Sequence, residues 1–186
     1  MRYSAAIRIV AMLLCTIAFF GAFGCESRSE NVISGGTTDR TDYNAPKVIQ
    51  SETITSFQAE FYIATRYKKE DNGFFDFTIA PDENGVLTVS ESYRELALPA
   101  DDTLLAALQS VIRKYDLAQM NGVYRVTAGL APECQRCHLN VCYDSGEQLT
   151  FTTNNNPFEE WTTEFFDVLS EWFFENGVDA LLPESE

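Results

Sequence analysis

The sequence has few of the residues and motifs that usually mark a catalytic centre. It contains a single histidine, His138, so any serine or cysteine nucleophile would have only one imidazole available as its base. It also lacks Gly-x-Ser-x-Gly, His-Glu-x-x-His, a glycine-rich phosphate loop and a complete EF-hand loop. We therefore expect a non-catalytic protein, and an enzyme with a carboxylate-based site is the alternative.

Basic residues are scarce. The chain has 13 Lys and Arg against 28 Asp and Glu, with a formal charge of −15. Nucleic-acid binding depends on Lys and Arg contacts with phosphate, so no nucleic-acid partner is expected. An anionic lipid surface would also repel this chain. The negative charge keeps an exported protein soluble, or it attracts a cationic partner.

The N-terminus lacks an apolar run long enough to cross a membrane. Arg2 and Arg8 precede a run from Ile9 to Phe23, which is shorter than the ~20 residues that a spanning helix needs. The run ends in Ala22-Phe23-Gly24-Cys25, so the layout is that of a secretory signal. It resembles a bacterial lipoprotein signal, in which the cysteine becomes the first mature residue and carries diacylglycerol and a palmitate-type acyl chain.

This resemblance implies a signal peptide over residues 1–24 and lipidation of Cys25. The mature protein would then lie on the extracytoplasmic face of the cell membrane, with a formal charge of −17 because Arg2 and Arg8 are removed. Cleavage after Gly24 by an ordinary signal peptidase would release a secreted protein instead. An uncleaved membrane anchor is a third outcome.

Residues 25–52 are polar and contain few large apolar side chains. Such a segment cannot bury enough surface to offset the entropy of ordering, so we predict a flexible tether that begins at Cys25. A single domain is predicted over residues 53–183, a length that supports a core without a disulfide or a metal.

The domain is predicted to be α+β. Its antiparallel sheet of about five strands, in the order β-β-β-α-β-β-α, has two helices on one face. Alternating or β-rich patterns predict the strands over Ile54–Arg66, Gly73–Ala80, Gly85–Tyr93, Cys137–Tyr143 and Gln148–Thr153. Asn-Gly sequences at residues 72–73 and 84–85 are typical of the tight turns between the first three strands.

Two amphipathic segments predict the helices. The first follows Pro99-Ala100-Asp101-Asp102, which offers a proline stop and an N-cap carboxylate, and has apolar residues at helical spacing from Leu104 to Tyr115. The second follows Asn156-Pro157-Phe158-Glu159 and has an aromatic stripe opposite an acidic side. Phe174 falls outside that stripe, so it either caps the helix end or forms a surface contact.

Cys134, Cys137, His138 and Cys142 form the one cluster of metal-ligating and nucleophilic residue types. Cys134-x-x-Cys137-His138 matches the haem-attachment pattern, and three Cys with one His is a ligand set that zinc accepts. A disulfide (Cys134–Cys137 or Cys134–Cys142), free thiols or a redox site are the other interpretations. Because the cluster leads into a strand, we expect a local disulfide or free thiols, and no cofactor.

Three segments resemble a loose group of bacterial exported proteins and lipoproteins. They are Asn121-Gly122-Val123-Tyr124, the stretch from Leu139 to Leu149 with its Tyr-Asp-Ser-Gly-Glu turn, and Asn154–Pro157. The group has no assigned activity, so the resemblance supplies no functional residues. We expect a monomeric, membrane-anchored binding or interaction module, whose partner is a cell-envelope protein or a cationic molecule.

Overall fold

The structure is a computed structural model that describes residues 31–33, 36–63, 73–131, 134, 136–154, 159–178 and 181. The strands are β1 (Asn31–Ile33), β2 (Thr37–Asp39), β3 (Ile54–Tyr62), β4 (Phe74–Pro81), β5 (Leu87–Glu91), β6 (Leu96–Pro99), β7 (Tyr124–Thr127), β8 (Arg136–Tyr143) and β9 (Gln148–Asn154). The helices are α1 (Asp102–Lys114), a short 3₁₀ helix (Leu117–Met120) and α2 (Glu160–Glu175).

In the described residues the strands form one sheet of nine, in the order β1-β2-β7-β9-β8-β3-β4-β5-β6. All neighbouring pairs are antiparallel except β7 and β9, which are parallel. The prediction of about five strands is therefore wrong, although the α+β class and the two helices are found. The five predicted strand segments coincide with β3, β4, β5, β8 and β9.

The four additional strands have three or four residues each and carry little periodic signal. β2 has the sequence Thr-Thr-Asp, in which no apolar residue marks a buried face. β6 ends at Pro99, and proline usually argues against a strand except at a sheet edge, where β6 lies. β6 and β7 pair with the longer strands β5 and β9, and β2 and then β1 extend the sheet from β7. Local sequence patterns do not record such pairing.

One face of the sheet and the two helices enclose the core. Phe57 of β3 contacts Phe165 of α2 with ring centroids 5.4 Å apart, and Phe75 of β4 lies 4.7 Å from Phe166. Tyr143 of β8 donates a buried hydrogen bond of 3.1 Å to Gln109 of α1. Each fully buried phenylalanine stabilises the fold by roughly 1.5–3 kcal/mol, so the aromatic stripe of α2 is a principal stabilising contact.

The predicted start of α1 agrees with the structure, and the predicted start of α2 differs from it. The Asp101 side chain accepts a hydrogen bond of 2.9 Å from the Leu104 N–H, so of the two candidate carboxylates Asp101 is the N-cap of α1. α2 begins at Glu160, and its N-cap residue Glu159 makes no side-chain capping bond. The predicted cap at Asn156 lies outside the described residues.

The compact unit begins at Asn31, earlier than the predicted boundary at residue 53. Beyond β2, residues 40–51 lie along the sheet and the turn before β9. The Asp42 N–H donates to the Gly122 carbonyl at 2.8 Å, and the Ser51 N–H donates to the Glu147 carboxylate at 2.8 Å. These residues are held by hydrogen bonds of the main chain, which a composition poor in apolar residues does not reveal.

Asn121 and Gly122 explain why residues 40–51 pack closely against the sheet. The buried Asn121 amide donates to the carbonyls of Pro46 and Gln148 at 2.8 and 3.0 Å and accepts from the Thr150 N–H at 2.8 Å. Gly122 has φ +78°, and a Cβ at this position would collide with Ala45 and the Asp42 carbonyl. Asn121 and Gly122 therefore join residues 40–51 to β9.

The predicted signal peptide at residues 1–24 and Cys25 lie outside the described residues. Within the described part of the chain, no helix has both the length and the apolar composition that crossing a membrane requires.

Candidate functional site

Polar side chains occupy the sheet face opposite the helices, which we call the polar face. Alternation along each strand places apolar residues in the core and sends their neighbours to this face. No described helix covers it. Its partly buried members on β3, β4, β5, β8 and β9 are Gln58, Glu60, Asp76, Thr78, Ser90, His138, Asn140 and Thr150.

Strand register aligns four of the side chains on this face. Thr152 pairs with His138, His138 with Glu60, and Glu60 with Asp76, so these residues form one line across β9, β8, β3 and β4. We call this line the polar row. With neighbouring strands ~4.8 Å apart, it is about 14 Å wide.

His138 has a defined hydrogen-bonding state. Its Nδ1 lies 3.0 Å from the Phe151 carbonyl oxygen and 2.9 Å from Thr152 Oγ1. A carbonyl only accepts hydrogen bonds, so Nδ1 must carry the proton and donate. Burial lowers the pKa of His138 below its ordinary value of 6.5, with a smaller contribution from the Arg136 charge. At neutral pH the ring is therefore neutral, and Nε2 has a lone pair that can accept a hydrogen bond.

The two carboxylates of the polar row differ in their partners. Glu60, whose side chain is 18% exposed, forms an ion pair with the Arg136 guanidinium, which is 60% exposed. Asp76 accepts long hydrogen bonds from Gln58 Nε2 at 3.3 Å and Ser92 Oγ at 3.4 Å. Among the described residues no cation forms an ion pair with Asp76. The row thus has a net charge of −1 when the Arg136 charge is included.

Tyr93 borders the row in the loop after β5. Tyr93 is 50% exposed. Its pKa is raised by partial burial and then by the charges of Glu60 and Asp76. The preceding residue, Ser92, donates to the Asp76 carboxylate at 3.4 Å, so the loop that carries Tyr93 starts at the row. A second aromatic border lies at the end of β3, where the Tyr62 and Phe74 rings are 4.9 Å apart in an edge-to-face arrangement.

A buried carboxylate holds the Tyr93 loop in place. Glu91 is 0% exposed, and it accepts hydrogen bonds from the N–H groups of Asp76, Tyr93 and Arg94 at 3.3, 3.3 and 2.8 Å. Its charge is balanced by the Arg94 guanidinium at 3.4 Å, which also lies over the Phe75 ring at 4.4 Å. This network fixes the loop relative to β4 and therefore positions Tyr93 beside the row.

The predicted cysteine cluster is divided by strand alternation. Cys137 is 1% exposed in the core, and burial raises the pKa of its thiol to about 12, so it is a poor nucleophile and metal ligand. His138 and Cys142 lie on the polar face, but four residues of strand separate them by about 13 Å. Zinc ligands lie ~2.0–2.3 Å from the metal, so these two residues cannot share an ion.

Cys134, Cys137 and Cys142 are free thiols in the structure. The described residues contain no group of three or more His, Cys, Asp and Glu side chains arranged to hold a metal ion. Only His138 of the predicted cluster belongs to the polar row. Phe174 is 55% exposed, so it is a surface residue of α2, away from the polar face.

Sequence reasoning missed Glu60, Asp76, Glu91 and Tyr93. The alternation of β4 sets Asp76 against Phe75 and Phe77, which was a usable sign that Asp76 lies on the polar face. The pairing of Asp76 with Glu60, and of Glu60 with His138, depends on the register between strands.

A depression of about 190 Å³ between residues 47–49 and α1 is lined by Lys47, Arg113, Asp116 and neighbouring side chains. Its cations already have partners. Lys47 Nζ donates to the Asn121 carbonyl at 2.5 Å, and Arg113 forms an ion pair with Glu52. These contacts attach residues 47–52 to α1 and to Asn121 after the 3₁₀ helix, so the polar face is the better candidate site.

Comparisons with protein-family models, with curated proteins and with solved structures found no match. The resemblance to exported proteins and lipoproteins therefore stays a prediction.

Proposed function

We propose that this protein is a non-catalytic binding module, anchored by lipidated Cys25 to the extracytoplasmic face of the cell membrane, and that its ligand binds the polar face. The observation that carries the proposal is the polar row. A neutral imidazole and two carboxylates are aligned on neighbouring strands of a sheet face that no described helix covers.

The charge of the chain supports this arrangement. After removal of residues 1–24 the formal charge is −17, so an anionic lipid surface repels the domain while the anchor retains it. Repulsion favours orientations in which the domain stands away from the headgroups. The polar face then remains accessible to a ligand in the envelope.

The setting of the row favours binding over catalysis. Enzyme sites usually lie in concave pockets that exclude water from the reacting groups. Here the carboxylates lie on a sheet surface beside a half-exposed tyrosine, and one of them is already neutralised by Arg136. Such a surface recognises hydrogen-bond donors and positive charge without enclosing a substrate.

An exported enzyme is the second candidate, and the pairing of Glu60 with Asp76 favours it. Directly opposed residues on antiparallel strands have Cβ atoms about 4.5–5.5 Å apart, so their side chains can reach the carboxyl–carboxyl separations of about 5–9.5 Å that glycosidases use. His138 Nε2 would be an additional base. Hydrolysis of chromogenic glycosides by the purified protein, abolished in Glu60→Gln, would support this candidate over the first.

Photo-crosslinking in intact cells tests the binding function. A benzoylphenylalanine is placed at Thr78, which lies on the polar face, and in a matched protein at Glu171, which is exposed on α2. A discrete crosslinked species is expected from position 78 only. Equal crosslinking from both positions, or none from position 78, would contradict a specific site on this face.

Mass spectrometry tests the anchor. The protein purified from membranes is expected to begin at residue 25 and to carry a diacylglycerol thioether and an amide-linked acyl chain on Cys25. An intact leader in a protein recovered from the cytosol would contradict the proposed location.

A further inference from the structure

The polar row is rich in hydrogen-bond acceptors. Glu60 and Asp76 contribute four carboxylate oxygens, and His138 contributes Nε2, because its Nδ1 proton is engaged by the Phe151 carbonyl. The long bonds to Asp76, at 3.3 and 3.4 Å, leave this carboxylate weakly satisfied. A ligand that complements the row must therefore bring donors and positive charge.

Arg136 shows which chemistry the row accepts. Its guanidinium is bound to Glu60, although its side chain is 60% exposed and extends from the same strand as His138. The Arg136 guanidinium is exposed, so solvent partly screens this pair, and an external guanidinium can replace Arg136. Arg136 therefore takes the position beside Glu60 that the cationic group of a ligand would take.

Aromatic rings border the carboxylates on two sides. Tyr93 lies in the loop held by Glu91, directly after Ser92, which donates to Asp76 at 3.4 Å. The Tyr62–Phe74 pair lies one row towards the end of β3. Gly73 permits this pair, since a Cβ at that position would collide with the Tyr62 ring. Rings next to carboxylates are the surroundings in which ammonium and guanidinium groups gain cation–π stabilisation.

A neutral row runs parallel to the polar row, and we call it the amide row. Register aligns Thr150, Asn140, Gln58, Thr78 and Ser90 across β9, β8, β3, β4 and β5. Five strands at ~4.8 Å spacing make it about 19 Å wide. Amide and hydroxyl groups along such a line match the alternating N–H and C=O groups of an extended polypeptide.

We propose that the ligand of the polar face is an extended basic polypeptide segment, with an Arg or Lys side chain bound by Asp76 and Glu60 beside Tyr93. This proposal rests on the binding function proposed above and names its ligand class. The polypeptide backbone lies along the amide row, and its cationic side chain displaces Arg136 from Glu60. The formal charge of −17 that remains after removal of residues 1–24 adds long-range attraction for such a ligand.

Fluorescence anisotropy with the purified full-length protein tests this proposal. The probes are a labelled 12-residue peptide of alternating Arg and Ser and the corresponding peptide of alternating Glu and Ser. The Arg peptide is expected to bind and the Glu peptide is not. Asp76→Asn should weaken binding about tenfold, while the matched neutralisation Glu171→Gln changes it less than twofold.

Arg136→Gln tests whether Arg136 competes with the ligand for Glu60. If Asp76 and Glu60 only stabilised the fold, this variant would not bind the Arg peptide more tightly. Removal of the Arg136 guanidinium frees Glu60, so the Arg peptide should bind several-fold more tightly. Arg125→Gln changes the net charge equally on β7, where Arg125 pairs with Asp39 of β2, and it should have little effect. Circular dichroism melts of each variant establish that it is folded.

Three results would overturn the proposal. Equal losses in Asp76→Asn and Glu171→Gln would mean that binding reflects overall charge alone. Equal affinity for free spermidine would mean that the ligand is a small cation. Absence of Arg-peptide binding, with crosslinking from position 78 intact, would reject the ligand class and leave the binding function standing. If that crosslinking also fails, the binding function is rejected as well.

Discussion

The buried Glu91 carboxylate should be essential for stability, and Glu91→Gln tests this with almost no change in volume. In the native protein its two oxygens accept three backbone hydrogen bonds, from Asp76, Tyr93 and Arg94. The glutamine keeps one oxygen and turns the other atom into an NH₂ donor. At least one backbone N–H then faces a donor instead of an acceptor.

The expected loss can be estimated from these contacts. A buried N–H left without an acceptor costs ~1–3 kcal/mol. Loss of the negative partner of Arg94 adds ~1 kcal/mol, less than the full cost of breaking a buried ion pair, because Arg94 keeps its contact with the Phe75 ring at 4.4 Å. The free energy of unfolding should therefore fall by about 3 kcal/mol, which corresponds to a decrease in Tm of about 6–12 °C for a chain of this size.

Urea denaturation monitored by tryptophan fluorescence measures this effect. The midpoint should fall with an unchanged m value, and Glu171→Gln, an exposed neutralisation, should stay within about 0.5 kcal/mol of wild type. A loss below about 1 kcal/mol in Glu91→Gln would refute the reasoning, because water would then be satisfying the N–H groups. Hydrogen exchange should show faster opening at residues 92–95 in the variant.

Three further predictions concern other parts of the fold. Gly122→Ala should reduce the free energy of unfolding by about 2–4 kcal/mol in urea titrations, because alanine is strained at the positive φ and its Cβ would collide with Ala45. An unchanged midpoint would contradict the close packing of residues 40–51 against the sheet. Iodoacetamide should label Cys142 in the native protein and spare Cys137, as peptide mass spectrometry would reveal; rapid labelling of Cys137 would mean that it is not in the core. The pKa of His138 is lower in the folded protein than in the unfolded chain, so the unfolded state binds more protons and stability is lost as the pH falls through about 6.5. Because this is the only histidine, His138→Gln should abolish that part of the pH dependence in urea titrations between pH 7 and 5.5, and an identical profile in both proteins would contradict the burial of the imidazole.

The sequence by itself determined the long elements and their buried faces. Alternation in β4 and β8 identified their core residues, the carboxylates of Asp101-Asp102 identified the start of α1, and helical spacing predicted the aromatic face of α2. These signals are local, since a side chain two or three residues away along the chain already shows which face is buried.

Only the tertiary structure decided the number of strands and the composition of the polar row. β2, β6 and β7 are too short for a periodic signal, and each forms because a longer neighbour offers unpaired N–H and C=O groups. Thr152, His138, Glu60 and Asp76 are far apart in the sequence, and they meet because register between four strands aligns them. A shift of one residue in any pairing would send a side chain to the opposite face, so the packing of the whole core selects the row.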